Sequence, residues 1–261
     1  LGVDGPYGQD DVNGLAMLLT GLTEYIGRGF RWHRPIVEPG EHDVLGKTYG
    51  DDAVIRPQID RLFGVLDDLA THPSTARHLC EKMARHFVAD DPDPELVAAM
   101  VSEYQASGGD LQRITEVMMD HPAAWQQDHP NVKWPLDYVM STFRAINLPP
   151  RVFDNMPWKT VRRVFHAPLV QMGQAWIGAN GPDGYPELDE RWITPQGLAA
   201  RLDWALMAPG EILKALPDPR KVAVDALGAR LPESVKFAVS ASDQRREGLA
   251  LVLVSPAFQR R

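Results

Sequence analysis

Residues 72–87 read HPSTARHLCEKMARHF, and this stretch decides the fold. Pro73 suits a first helical position, where its missing N–H would be unpaired in any case. Ala76, Leu79, Cys80, Met83 and Phe87 then recur at steps of three and four, the spacing that lines one face of a helix. Arg85 and His86 fall in the last turn, where the helix dipole favours positive charge. The same grammar extends in both directions. Downstream, Asp93-Pro94 opens a helix through Leu96, Val97, Met100, Val101 and Tyr104 that Gly108-Gly109 closes, and Asp110 caps another with Leu111, Ile114, Val117 and Met118 inside. Upstream, Ile55, Ile59, Leu62, Phe63, Leu66 and Leu69 form the inner face of a helix that stops at His72-Pro73. Before it, Asp10 or Asp11 caps a first helix whose stripe is Val12, Leu15, Leu19, Leu22 and Ile26, ended by Gly27 and Gly29.

Beyond residue 130 the pattern continues. Leu136, Val139, Met140, Phe143 and Ile146 mark one helix, and Val161, Val164, Phe165, Leu169 and Met172 mark one that Pro168 should kink or break. Residues 179–191 are a loop by composition. Thr194-Pro195 restarts helix with Leu198, Leu202 and Leu206, and three shorter helical stretches follow around Val222, Val235 and Leu249. The segment 30–52, rich in Pro, Gly, His and charge, is the least regular and reads as an ordered functional loop or a short hairpin. The expectation is a mainly α protein, a single multi-helix, bundle-like domain over residues 1–261 with long ordered loops. Because the first helix begins almost at Leu1 while Ser255 to Arg261 reads as a natural end, a C-terminal part of something longer is also expected.

Composition bounds the function classes. The 261 residues are 44% hydrophobic and 24% charged, the balance of a folded chain and far from a disordered one. Twenty-seven Lys and Arg against 35 Asp and Glu leave a net charge of -8, which repels phosphate backbones, so no nucleic-acid partner is expected. Cys80 is the only cysteine, which excludes an internal disulfide and a cysteine-rich zinc site. No apolar run approaches the ~18 residues of a membrane helix, so no membrane span is expected.

Two constellations carry chemistry. In 42–50, HDVLGKTYG, His42, Asp43 and Lys47 place a histidine, a carboxylate and an amine close in sequence, enough for a metal ligand pair or an acid and base. The other reading is that Asp43 and Lys47 pin the loop onto helices. Gly46-Lys47-Thr48 imitates the end of a phosphate-binding loop, but Glu41 stands where the first glycine belongs. The second constellation is aromatic. Trp176, Tyr185, Trp192 and Trp204 cluster around a Gly- and Pro-containing loop, with Arg201 one helical turn before Trp204. They read either as a groove for a sugar, peptide or other ligand, or as a staple holding the loop on the helices. His72, His121 and His129 each precede proline, where a ring nitrogen can supply a cap-like hydrogen bond. Asp91, Asp93 and Glu95 begin like a calcium loop, yet Leu96 stands where glycine is needed, and no metal site is assigned.

These segments together resemble the bacterial domain of unknown function 1800 family. The resemblance rests on Asp11-Val12 through Leu19-Thr20-Gly21, on His42-Asp43 with Gly46-Lys47 and Gly50, and on His72 to Arg77 through Lys82, Phe87 and Asp91-Pro92. It continues through Gly109-Asp110-Leu111, Pro182 to Pro186, Trp192 with Thr194-Pro195 and Arg201, and Ser255-Pro256-x-Phe258-Gln259. Val44 and Leu45 depart from the small or proline residues of that pattern. The resemblance implies a further helical portion upstream, no established activity or cofactor, and gene neighbours similar to sulfatase-like proteins that are often exported. It therefore implies a cell-envelope or periplasmic setting, with the chain's own upstream region and a sulfatase-like protein as partners.

The functional expectation is a helical domain that binds a partner protein or envelope ligand without catalysis, through Trp176, Tyr185, Trp192, Arg201 and Trp204. The alternative is a metal-dependent or acid/base hydrolase working through His42 and Asp43, with Lys47 stabilising developing negative charge.

Overall fold

The computed structural model of the chain describes every residue except 3–4, 26, 28, 51–58, 127–130, 180 and 182–183. Helix dominates, and the sheets among the described residues are two antiparallel pairs of short strands, so the protein is mainly α. Two compact units divide the chain, Leu1–Ala84 with Pro92–Trp125, and Arg85–Asp91 with Gln126–Arg261.

The first unit opens with α1 (Gln9–Leu19), then a hairpin of β1 (Leu22–Tyr25) and β2 (Gly29–Trp32), then a second hairpin of β3 (His42–Val44) and β4 (Lys47–Tyr49). Helices α2 (Asp60–Thr71), α3 (Pro73–Phe87), α4 (Pro94–Ser107) and α5 (Leu111–Asp120) follow. The first helix is shorter than its apolar stripe implied. Thr20 leaves the helix in an extended conformation and Gly21 turns at φ 92°, where a Cβ would lie 2.4 Å from Val37 Cγ2. Leu22 therefore begins a strand, and Ile26 and Ile55 lie outside the described residues. In α2 the buried face is Leu62 and Val65, while Phe63 and Leu66 are exposed, a shift of the stripe by part of a turn. Leu18, Val44, Tyr49, Leu62 and Val65 form a core to which α1, α2 and the second hairpin all contribute.

Local chemistry explains the element ends. Asp93 accepts from Glu95 N at 2.8 Å and Asp110 accepts from Gln112 N at 2.9 Å, each satisfying an orphan donor of a helix N-terminus. His72 Nδ1 accepts from Ser74 N at 3.1 Å, and His121 Nδ1 accepts from Ala123 N at 3.2 Å, the cap-like bonds expected of histidines before proline. His129 lies outside the described residues.

The second unit contains α6 (Pro135–Ala145), α7 (Trp158–Val161), a π-helical turn (Arg162–His166), α8 (Ala167–Gln171), the long α9 (Pro195–Ile212), α10 (Pro219–Leu227), α11 (Glu233–Ala241), α12 (Arg245–Leu253) and the short α13 (Pro256–Gln259). Its core gathers Tyr138, Phe143, Val164, Leu169, Trp204, Val222, Leu249, Leu253 and Phe258. Pro168 acts as its chemistry requires. It has no N–H for the carbonyl four residues earlier and its ring crowds that oxygen, so the helix widens into the π turn before it. The carbonyl left over is that of Val164, and it accepts from Trp204 Nε1 at 2.7 Å.

Candidate functional site

The β3–β4 hairpin turns through Leu45 and Gly46, both at positive φ (53° and 75°), the geometry of a type I′ turn. Leucine is a poor occupant of the first of these positions. Asp11 supports it, accepting from Leu45 N at 2.6 Å and from Gly8 N at 2.8 Å, and these two bonds hold its carboxyl below the usual carboxylate range. Gly14 of α1 lies so close to β3 that a Cβ there would meet the Asp43 carbonyl oxygen at 2.0 Å.

Register then decides what His42, Asp43 and Lys47 can do together. His42 pairs with Tyr49, Asp43 with Thr48 and Val44 with Lys47. Since alternate residues of a strand point to opposite faces and cross-strand partners share one, His42, Lys47 and Tyr49 share the face of buried Val44, and Asp43 lies on the other with Thr48. Asp43 Oδ1 accepts from Thr48 Oγ1 at 2.6 Å. Lys47 forms an ion pair with Asp68 of α2, which also accepts from Tyr49 Oη at 2.6 Å. Lys47 and Tyr49 hold the Asp68 carboxyl below its ordinary value, while burial, then the bond to Asp68, pushes the Tyr49 hydroxyl up to about 12. The hairpin is thus pinned to α2 by Lys47, Tyr49 and Asp68. Asp68 and Tyr49 were not singled out in the sequence, although the position of Tyr49 two residues after Lys47 puts both on one strand face. His42 Nε2 is buried without a hydrogen-bond partner among the described residues.

The aromatic constellation divides into a buried half and an exposed half. Trp192 is buried, donates from Nε1 to Pro186 O at 3.1 Å, and lies 5.3 Å from the Trp134 ring and 6.1 Å from the Tyr185 ring. Trp204 is in the core, bonded to Val164 as described. Arg201 is 1% exposed. Its guanidinium donates to Gln259 Oε1 and to Lys133 O (2.7 Å) and lies 5.2 Å from the Tyr138 ring. Burial pulls its pKa down to about 10. Trp192 thus ties the 185–195 loop to Trp134, Trp204 ties α9 to the π turn, and Arg201 ties α9 to the C-terminal segment and to Lys133.

Trp176 and Tyr185 occupy the loop after α8. Tyr185 Oη donates to Ala175 O and accepts from Gly178 N at 3.2 Å, which closes a tight loop over 175–178. At its tip Trp176 is 52% exposed and Ile177 is 89% exposed, and Ile177 sits at φ 52°. A β-branched residue in the left-handed region is a backbone outlier that the surrounding bonds must enforce. The Trp176 ring lies 5.8 Å from Phe165, and Trp158, 69% exposed, lies 6.4 Å from the neighbouring His166. Trp158 and Ile177 were not singled out in the sequence. An aliphatic residue between Trp176 and Gly178 in a glycine-containing loop was the signal for the second.

Among the described residues, no group of three or more His, Cys, Asp or Glu side chains is placed to hold a metal ion. Among them, too, no helix is long and apolar enough to cross a membrane.

A family model described as "Protein of unknown function (DUF1800)" matches residues 1–260. No curated protein and no solved structure matches the chain.

Proposed function

We propose, for a chain that belongs to the DUF1800 family of proteins of unknown function, a mainly helical binding domain that engages a partner protein or envelope ligand through the exposed end of its aromatic loop. The observation that carries this reading is the Trp176–Ile177 tip. Two large apolar side chains stand in solvent on a loop that two Tyr185 hydrogen bonds close, with one of them held in a strained conformation. Exposed apolar surface and local strain both work against stability, and both are concentrated where loops carry function. Trp192, packed near Tyr185, and Trp204, bonded to Val164 beside Phe165, support the site, Arg201 anchors α9, and Trp176 with Tyr185 supplies the surface. A sulfatase-like partner and the chain's own upstream region are candidate occupants on the family resemblance.

Co-sedimentation with bacterial envelope fragments tests this. The wild-type chain should pellet with them, and Trp176→Ala should abolish pelleting while leaving the unfolding midpoint unchanged. Equal pelleting of both proteins, or none of either, would remove the reading.

The hydrolase alternative keeps one favourable observation, the buried His42 Nε2 on the strand face that carries Lys47, without a hydrogen-bond partner among the described residues. Turnover of an ester, phosphate or glycoside that vanishes in His42→Ala would establish it, and absence of turnover across all three classes would end it.

A further inference from the structure

Exposed apolar side chains also stand on the helical segment against which Trp176 packs, and that segment has a definite chemistry. Trp158, Arg162, His166 and Val170 are spaced by four residues along α7, the π turn and α8. Steps of four run slightly ahead of an α-helical turn and slightly behind a π turn, so the π segment keeps all four on one side of the helix. The 6.4 Å approach of the Trp158 and His166 rings agrees with that alignment. Trp158 and Val170 on this side are exposed, and the Trp176 ring packs beside Phe165 at the same segment.

The charge of this region opposes that of the chain. The net charge is -8, yet residues 144–179 contain Arg144, Arg151, Lys159, Arg162 and Arg163 against Asp154 alone. Arg163 is paired with Glu211. Arg144, Arg151, Lys159 and Arg162 are exposed and have no carboxylate partner among the described residues. Exposed tryptophan and isoleucine side chains together with unpaired cations are the two components of interfacial binding to an anionic bilayer: indole rings settle at the headgroup level, an aliphatic tip enters the acyl boundary, and Lys and Arg face the acidic headgroups.

We infer that Trp158, Val170, Trp176 and Ile177, flanked by Lys159 and Arg162, form a docking face for the surface of an anionic phospholipid bilayer. This rests on the binding reading above and names its ligand. The tip is protruding rather than recessed, since Ile177 is almost fully exposed, which suits entry into a lipid layer better than burial in a flat protein interface. The net acidic remainder of the chain would be repelled by the same headgroups, so charge complementarity orients this face toward the bilayer.

Protein-free vesicles test the inference. The chain should bind vesicles of phosphatidylglycerol mixed with phosphatidylcholine at 0.1 M salt, bind pure phosphatidylcholine at least about tenfold more weakly, and weaken as salt rises. Trp176→Ser combined with Ile177→Asn should lower vesicle partitioning about tenfold or more, and so should Lys159→Glu combined with Arg162→Glu. Asparagine tolerates the left-handed conformation at 177, so the first variant keeps its fold, checked by an unchanged or raised unfolding midpoint. Phe237→Ser removes an equally exposed apolar residue of α11, 75% exposed, and should leave partitioning unchanged. Equal binding to charged and neutral vesicles, undiminished binding by either variant, or a loss in Phe237→Ser would overturn the inference. Envelope fragments bound through Trp176 while protein-free vesicles are not would overturn it too, leaving the binding reading intact with a protein or wall component as ligand. Failure to bind either would remove both.

Discussion

Ile177 and Leu45 both hold the left-handed backbone conformation, at φ 52° and 53°, and differ in what their side chains gain from it. Each costs roughly 1–2 kcal/mol relative to a residue that adopts this region freely. Leu45 recovers part of that by packing against the core of Leu18, Val44 and Leu62, whereas Ile177 stands in solvent. Ile177→Asn should therefore raise stability by about 1 kcal/mol in urea unfolding, and Leu45→Asn should not. A destabilised Ile177→Asn would show that the side chain packs within the protein. Lys133 gives a pH-dependent case. Its ammonium lies 3.8 Å from the Phe258 ring centre, and burial, with Arg230 and Arg201 nearby, brings its pKa from 10.5 down to about 8. Between those values the unfolded chain holds the proton more tightly than the folded one, so stability rises with pH across that window. The stability of wild type relative to Lys133→Met should accordingly increase from pH 8 to 10, and a flat difference would contradict the shift. Asp11 and Asp68 act in the same sense at the acidic end, since their folded pKa values are lowered as well. Both sit below 3.8 when folded, so their support of the hairpin is complete above that value and lost as pH falls through their folded pKa. Amide exchange at Leu45 should lose protection there, and should not respond in Asp11→Asn.

The continuous helix of α7, the π turn and α8 connects a residue readable in sequence to a partner that was not. Pro168 announced a break, but nothing in the sequence named Trp204 as donor to the carbonyl it leaves at Val164, because that contact joins residues 40 apart. Trp204→Phe keeps the ring bulk and leaves the carbonyl without its partner, at a cost of about 1–3 kcal/mol. In a Pro168→Ala background the restored N–H can reclaim Val164 O, so the same substitution should cost measurably less; equal costs in both backgrounds would dissociate the two residues. Helices whose caps are local, such as α3, α4, α5 and α9 with His72, Asp93, Asp110 and Thr194, were legible because cap and helix are neighbours in the chain. The boundary of α1 was not. Its apolar spacing runs on through Leu22, and only the turn at Gly21, packed against Val37, diverts the chain into a strand. The exposure of Phe63 and Leu66 was hidden for a related reason, since period alone does not tell which of two adjacent stripes a helix buries.

At the scale of the whole molecule, the sequence carried the class of fold and the grouping of aromatic residues, while the separation of that group into support and surface depended on tertiary packing. Trp192, Arg201 and Trp204 are buried by contacts with Trp134, Gln259 and Val164, all distant in sequence, while Trp158 joins the surface through a helix register that the π turn sets and Ile177 through the loop that Tyr185 closes. The expectation that residues 1–261 fold as one domain predicts a single cooperative unfolding transition, the same by calorimetry and by tryptophan emission; two separated transitions would refute it. The central claim is that the exposed Trp158 and Trp176 meet a ligand while the buried tryptophans only hold the loop. Fluorine NMR of the chain labelled with 5-fluorotryptophan reads this directly, since its seven tryptophans give separate signals assignable by single Trp→Phe variants. On addition of envelope fragments or anionic vesicles, the signals of Trp158 and Trp176 should shift or broaden and those of Trp192 and Trp204 should stay in place. Movement of the buried pair with Trp158 and Trp176 unchanged would contradict the account.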